Sequence, residues 1–259
     1  MPSTRRRHLE AKLASRPKDI YAEFMAGWDR LEIHGQSMRS TATGATVATE
    51  ALVRWRRAPG ELWAAAMALP IAEETGAIDA CTQRALEMSI AAWAGSASRA
   101  RGGRLSLNMH RTRLEDPNLI ADLHRMCTDF AVAPTELLFE IPDRLGPDAC
   151  RAATVALAPM VDAGATLALD DHSGEASPTR PGRDWLPHGS VVKLDAAITD
   201  ICDHPLGRSV LERTTHDLLD QGYLVAVEMI EREEQFRAAK ACGVDLAQGH
   251  LFGTPSLFT

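Results

Sequence analysis

The residues able to do chemistry in this chain are mostly oxygen-bearing, and they recur in one context. Glu50, Asn108, Glu140, Asp170, Asp171, Glu228 and Gln248 each fall within or at the end of a short aliphatic or β-branched run, and Lys193 and Asp195 share another. A charge buried alone among apolar residues costs far more than packing returns, so such groups must pair or bind a cation. The acids Glu50, Glu140, Asp170, Asp171 and Glu228 have a single lysine among them, too few cations for all to be paired. With the amide oxygen of Asn108 they make an all-oxygen donor set, which suits Mg²⁺, Mn²⁺ or Ca²⁺. The absence of His or Cys from the set argues against zinc.

Eight runs would have to position these groups: Leu31–Ser37, Ala45–Trp55, Arg104–Met109, Leu137–Ile141, Thr166–Asp171, Val191–Asp195, Leu224–Ile230 and Leu246–Phe252. Helical spacing lies between most of them. Residues 64–93 carry it, split at Thr75-Gly76, as do Leu114–Phe130 (with Asp116-Pro117 at its start), Pro147–Ala163, Ile198–Gln221 and Glu231–Cys242. Gly164, Gly222 and Gly243 suit the C-terminal caps of the last three. Alternating strand and helix define an α/β fold with a parallel sheet. Eight strands suit a TIM-like (β/α)8 barrel, and a doubly wound open sheet satisfies the same pattern. In a barrel the C-terminal strand ends converge on one face, where active sites sit. The short turn Ser40–Gly44 makes the first two strands antiparallel, so one strand of the barrel is reversed. The expected division is a tail and lead-in helix over 1–28 and one barrel domain over 29–259. There is no internal repeat. Ser173–Gly189, rich in proline and glycine, is the main irregular segment, of a length that is usually functional or mobile.

Bulk properties narrow the classes. A length of 259 residues is ordinary for a single α/β barrel. A net charge of -7 disfavours a nucleic-acid polymer as partner, so an anionic ligand needs local positive charge or a metal. The 5 cysteines are scattered, as expected of buried, inert thiols in a reducing cytoplasm. Arg5, Arg6 and Arg7 are followed by no apolar stretch, which excludes a signal peptide, and no run of about 18 apolar residues exists to span a membrane.

The order and spacing of several words resemble the EAL domain family of cyclic di-GMP phosphodiesterases. The words are EALVRW (Glu50–Trp55), LPIAEETG (Leu69–Gly76), LSLNM (Leu105–Met109), LLFEI (Leu137–Ile141), LALDD (Leu167–Asp171), VKLD (Val192–Asp195), VEMIE (Val227–Glu231) and QGHLFG (Gln248–Gly253). The resemblance covers about Leu31 to Pro255. It implies a metal-dependent phosphodiesterase that opens cyclic di-GMP to the linear dinucleotide pGpG by two-metal activation of water, with a catalytically weak or inactive receptor as the alternative. Glu50, Asn108, Glu140 and Asp170 would hold one Mg²⁺ or Mn²⁺, and Asp170, Asp171 and Glu228 a second; Ca²⁺ is expected to inhibit. Glu228, Lys193, Asp171 and Glu50 would be catalytic. Arg54 would grip a phosphate, and Gln36, Leu52, Asp195 and Gln248 would line the ligand. A homodimer or a regulatory protein partner is expected. Several positions depart from the family pattern. His172 replaces the aromatic after the paired aspartates, Asp143 replaces a glutamate that braces the following loop, and Met229 replaces a glycine. His172 reads as a solvated loop residue, or as a replacement ligand or general base. Glu73-Glu74 reads as a helix surface or a packing turn.

Overall fold

A computed structural model of the chain describes Phe24, Gly27 and residues 30–58, 60–173 and 185–258. The remainder of the 1–28 segment and most of the irregular Ser173–Gly189 segment lie outside the described residues. The strands are β1 (Leu31–Ser40), β2 (Thr46–Ala58), β3 (Glu61–Ala64), β4 (Arg104–Asn108), β5 (Leu137–Pro142), β6 (Thr166–His172), β7 (Val191–Leu194), β8 (Leu224–Val227), β9 (Leu246–Gln248) and β10 (Ser256–Leu257). The helices are α1 (Ala65–Glu74), α2 (Ile78–Ala94), α3 (Ala97–Ala100), α4 (Arg111–Leu114), α5 (Leu119–Asp129), α6 (Pro147–Asp162), α7 (Ala196–Thr199), α8 (Pro205–Asp220) and α9 (Glu233–Ala241).

Eight strands close in the order β1-β2-β4-β5-β6-β7-β8-β9, with β9 returning to β1. Strand β1 is antiparallel to both its neighbours and every other barrel pairing is parallel. The barrel, with one reversed strand, is therefore the outcome, and the open sheet is not. The two short strands that sequence missed, β3 and β10, extend the sheet beyond β2 and β1.

Side chains alternate along a strand, so inward residues recur every second position. Met38, Ala48, Leu138, Ala168, Val191, Ala226 and Leu246 form one buried cluster, which makes an apolar floor inside the barrel. Two residues on along β2, β5, β6, β7 and β9 stand Glu50, Glu140, Asp170, Lys193 and Gln248, and by the same step Glu228 stands just past the end of β8. On reversed β1, Gln36 precedes Met38 by the same step and pairs opposite Glu50. The intervening residues Leu105, Leu107, Phe139, Leu167, Leu169, Val192, Val225 and Val227 belong to the larger core between barrel and helices. The same period therefore builds the scaffold and aims the polar ring.

Three expected elements are shorter or broken. The helix read over Ile198–Gln221 is two helices, because Asp195 caps α7 by accepting from Ala197 N at 2.6 Å and Pro205 then opens α8. The stretch Leu114–Phe130 divides around a turn in which Asp116 accepts from Asn118 N at 2.8 Å. Strand β8 stops at Val227, since Met229 has φ +58° and cannot continue an extended ladder. The split of residues 64–93 at Thr75-Gly76 is as expected, with Gly76 at φ +73°. All five cysteines are free and buried. Burial pushes the Cys81 and Cys202 thiols up to about 11, which keeps them inert. Among the described residues no helix is long and apolar enough to cross a membrane.

Candidate active site

Lys193 is fully buried at the centre of the polar ring. Its Nζ lies 2.8 Å from Glu140 Oε2, 2.8 Å from Glu228 Oε1, 3.0 Å from Asp170 Oδ1 and 3.9 Å from Glu50 Oε2. Glu140 also accepts from Ser106 Oγ at 2.5 Å. Glu50 accepts from Asn108 Nδ2 at 2.6 Å and from Gln248 Nε2 at 2.5 Å. Gln248 Nε2 reaches Gln36 Oε1 at 3.2 Å, and Gln36 Nε2 donates to the Gly253 carbonyl at 3.3 Å. The side-chain contacts of the ring join residues brought by different strands or strand ends, so the ring exists only when the barrel is closed.

Acids outnumber the base, and the proton affinities follow. Burial, with Glu50 next, raises Glu140 well above the usual carboxylate range. Burial raises Glu228 to about 8 despite the Lys193 charge. Burial and the neighbouring Asp170 raise Asp171 to about 6. Burial alone would lower Lys193, but Asp170, Glu140, Glu228 and Glu50 outweigh it and hold the ammonium well above its ordinary range.

Asp170, Asp171 and Glu228 each offer an oxygen within 4.8 Å of the others. Consecutive residues on a regular strand point to opposite faces, so two adjacent aspartates cannot normally share a site. They do here because Asp171 has φ +58°, at a register shift between Leu169 and His172 in the β6–β7 pairing. Aspartate tolerates the left-handed region better than most residues. Asp170 Oδ1 is buried and, beyond its ion contact with Lys193, accepts no hydrogen bond. Gln248 Oε1 is likewise buried without a hydrogen-bond partner. Unsatisfied oxygens in a carboxylate ring fit a hard divalent cation.

The remaining expected residues stand nearer the rim. Leu52 borders a cavity of about 170 Å³ that also touches Asn108, His110, Arg144 and Asp170. Arg54 is half-buried four residues along β2 from Glu50 and donates to its neighbour's carbonyl, Val53 O, at 2.9 Å. Burial lowers its pKa and Glu50 opposes that shift. Asp195 is half-exposed; its Oδ1 caps α7, and its charge contributes to the raised affinity of Asp171. Glu73 is exposed on α1, where its Oε1 lies 3.3 Å from His110 Nε2.

His172 corrects its expectation. It is 2% exposed, lies within β6, and its Nδ1 is 2.9 Å from Asp143 Oδ2. It is neither solvated nor in a loop. Sequence reading also missed Ser106. Its signal was its place two residues before Asn108, on the same face of β4.

The C-terminal strand ends of this closed barrel thus gather an acidic ring around one buried lysine. The chain belongs to the EAL domain family, whose pattern matches residues 26–255. It is 28% identical over 217 residues to a cyclic di-GMP phosphodiesterase of Pseudomonas aeruginosa, covering 83% of this chain and 36% of that protein. It is 23% identical over 208 residues to the cyclic di-GMP phosphodiesterase PdeF of Escherichia coli, covering 80% and 27%. The chain thus spans about a third or less of the length of these curated relatives. Its fold is similar to that of the FimX EAL domain from Pseudomonas aeruginosa bound to c-di-GMP, with TM-score 0.80, 18% identity, and coverage of 92% of this chain and 96% of that one. The PaMucR phosphodiesterase in complex with c-di-GMP gives TM-score 0.79 at 20% identity, covering 92% of this chain and 96% of that one.

Proposed function

We propose that this chain binds cyclic di-GMP across the C-terminal face of the barrel and hydrolyses one phosphodiester, releasing linear pGpG. The observation that carries this reading is the convergence of Asp170, Asp171 and Glu228 oxygens within 4.8 Å, beside Glu50, Asn108 and Glu140. Glu50, Asn108, Glu140 and Asp170 would hold one Mg²⁺ or Mn²⁺, and Asp170, Asp171 and Glu228 a second. Such a pair supplies Lewis acidity toward the phosphate and lowers the pKa of water.

The chain's own residues supply the rest. The Lys193 ammonium, held charged by its neighbours, donates toward a water in the ring and toward charge developing on the phosphate. Asp171, whose side chain is partly exposed at the mouth of the ring, would take the proton of the attacking water. Water oxygen bonds to phosphorus, the P–O3′ bond breaks, and the 3′ oxygen leaves with a proton from solvent. Arg54 suits a non-bridging phosphate oxygen through its planar fork. Leu52 offers apolar contact to the ligand, and Gln36, Gln248 and Asp195 offer polar contact. Ca²⁺ accepts the same donors in looser geometry and supports binding without turnover. A cytoplasmic location and a homodimer or regulatory protein partner belong to the same reading.

A receptor without useful turnover is the second reading. It is favoured by the left-handed Met229 immediately after Glu228, which sets that carboxylate on a strained turn. Chromatography of cyclic di-GMP incubated with Mg²⁺ or Mn²⁺ separates the two. Hydrolysis predicts pGpG that disappears in Glu50→Ala. No product, together with calorimetric binding in Ca²⁺, establishes the receptor, and no binding removes both.

A further inference from the structure

We infer that Arg144 is a guanidinium shared between two anions: it pairs with Asp171, and it transfers to a phosphate oxygen of the bound dinucleotide, releasing Asp171 to a cation. The inference rests on the proposed function. It adds a residue that contacts the ligand and couples ligand binding to cation binding.

The case begins with charge. The mouth of the barrel carries Glu50, Glu140, Asp170, Asp171 and Glu228, and Lys193 is enclosed at their centre. A cyclic dinucleotide brings two phosphodiester charges to this acidic mouth, so exposed positive charge must meet it there. Three basic residues border the cavity of about 170 Å³ beside Asp170. Arg113 is buried, and its guanidinium donates to Asp116 and, at 2.9 Å, to Asp122. His110 is mostly covered, with Nε2 3.3 Å from Glu73 Oε1. Arg144 is the open one: its side chain is 72% exposed, and its Nη1 lies 3.7 Å from Asp171 Oδ2.

The backbone under Arg144 is fixed while its side chain is free to turn. The residue sits mid-way in the single helical turn Asp143–Leu145, entered through Pro142 and left through Gly146 at φ +84°. Pro142 pairs with Asp170, which ties the base of Arg144 to the strand carrying both aspartates. An exposed ion pair of this length is worth little, so giving it up costs little. A phosphate offers the planar fork two parallel hydrogen bonds in its place. Arg54 stands on β2 and Arg144 just past β5, with β4 between those strands. The two guanidiniums thus start about 10 Å apart along the sheet and approach the mouth from different sides.

The contact with Asp171 gives the exchange its thermodynamic signature. Asp171 is one of the three residues whose oxygens gather within 4.8 Å. A guanidinium on its Oδ2 and a divalent cation on the same carboxylate repel each other. At about 5 Å in water-like surroundings that repulsion amounts to roughly tenfold in affinity, less as salt screens it. Arg144 therefore opposes the second cation. A phosphate that draws the guanidinium away removes the opposition, so nucleotide and cation strengthen each other's binding by the same factor.

Calorimetric titrations of the full chain test this, first with Ca²⁺ alone and then with cyclic di-GMP in saturating Ca²⁺. Wild type, Arg144→Ala and Arg144→Lys are compared. The position is exposed, so both variants should melt close to wild type. Arg144→Ala should bind Ca²⁺ alone about 3–10-fold tighter at its weaker site in low salt, the gain fading as salt rises. It should bind cyclic di-GMP about tenfold more weakly, the lower end of what a charged hydrogen bond supplies. Arg144→Lys keeps the charge and loses the fork, so it should bind Ca²⁺ as wild type does and recover only part of the nucleotide affinity. A merely structural role would weaken both titrations together. In folded Arg144→Ala, any pattern other than tighter Ca²⁺ with weaker nucleotide overturns the inference and leaves the functional reading standing. A wild type that binds no cyclic di-GMP overturns both.

Discussion

Replacing Lys193 with methionine removes the one ammonium at the centre of the ring while keeping most of the side-chain volume. Three carboxylates within 3.0 Å then lose their shared counter-charge. Breaking a buried ion pair on one side costs about 3–5 kcal/mol. That is a large share of the roughly 5–15 kcal/mol by which a domain is stable. At about 2–4 °C per kcal/mol, the cation-free melting point should fall by roughly 6–20 °C. The loss depends on pH in a fixed sense. Glu228 holds its proton up to about 8 even beside Lys193. At pH 5.5 it is neutral and the variant loses less; at pH 8.5 it is charged in the parent protein, its contact with Lys193 is a full ion pair, and the variant loses more. Adding a divalent cation at a hundred times its Kd returns about 2.7 kcal/mol. Thermal and urea unfolding by circular dichroism, in EDTA at both pH values and then in Mn²⁺, measures all three quantities. A loss below 1 kcal/mol at pH 8.5, or equal losses at the two pH values, refutes the argument that Lys193 serves as the ring's resident cation.

Three further predictions follow from the same ring. The Glu228 affinity is raised in the fold, so its contribution is full below the ordinary carboxylate value of 4.5 and is lost as pH rises through about 8; cation-free wild type should weaken by a few kcal/mol over that window, and saturating Mg²⁺ should flatten the profile, as pH-dependent urea midpoints will show. Met229→Gly relieves a left-handed non-glycine residue and should stabilise by up to about 1 kcal/mol after glycine's extra unfolded-state entropy is deducted, with turnover of cyclic di-GMP no lower than wild type; a destabilised variant would show that the Met229 side chain matters more than its backbone. Arg54→Ala should weaken cyclic di-GMP binding in Ca²⁺ by about 10–100-fold, the worth of a charged hydrogen bond, and Arg54→Lys should recover only part of it; calorimetry showing unchanged affinity would remove Arg54 from the ligand site.

All eight barrel strands were legible in the sequence, because an apolar run of period 2 ending in a polar residue is a pattern that few other structures produce. The antiparallel β1 was legible from the short Ser40–Gly44 turn. Within the ring, Glu50, Asn108, Glu140, Asp170, Lys193, Glu228 and Gln248 were visible because an acid or amide interrupting an aliphatic strand advertises its cost. Strand β3 was obscured by running directly into α1: its last residue, Ala64, read as the start of the helical stretch, and its first three were assigned to no element. The break before α8 turned on cap chemistry at Asp195 and His204, which local spacing does not reveal. His172 was misread for a different reason. Its burial is set by Asp143, 29 residues earlier, and by a bulge that changes which face β6 presents. Periodicity assumes a regular strand, and it failed at the one place where the strand is irregular.

The two-residue step between floor and ring has a consequence for how faithfully this barrel assembles. Ala48 and Glu50, Leu138 and Glu140, Ala168 and Asp170, and Val191 and Lys193 share strands and share a face. A strand that slips by one residue turns both members outward at once, and one that slips by two brings a charge down to floor height. Such slips disturb the floor and the ring together. Quality control by burial, whether by a protease or a chaperone, therefore also screens the site.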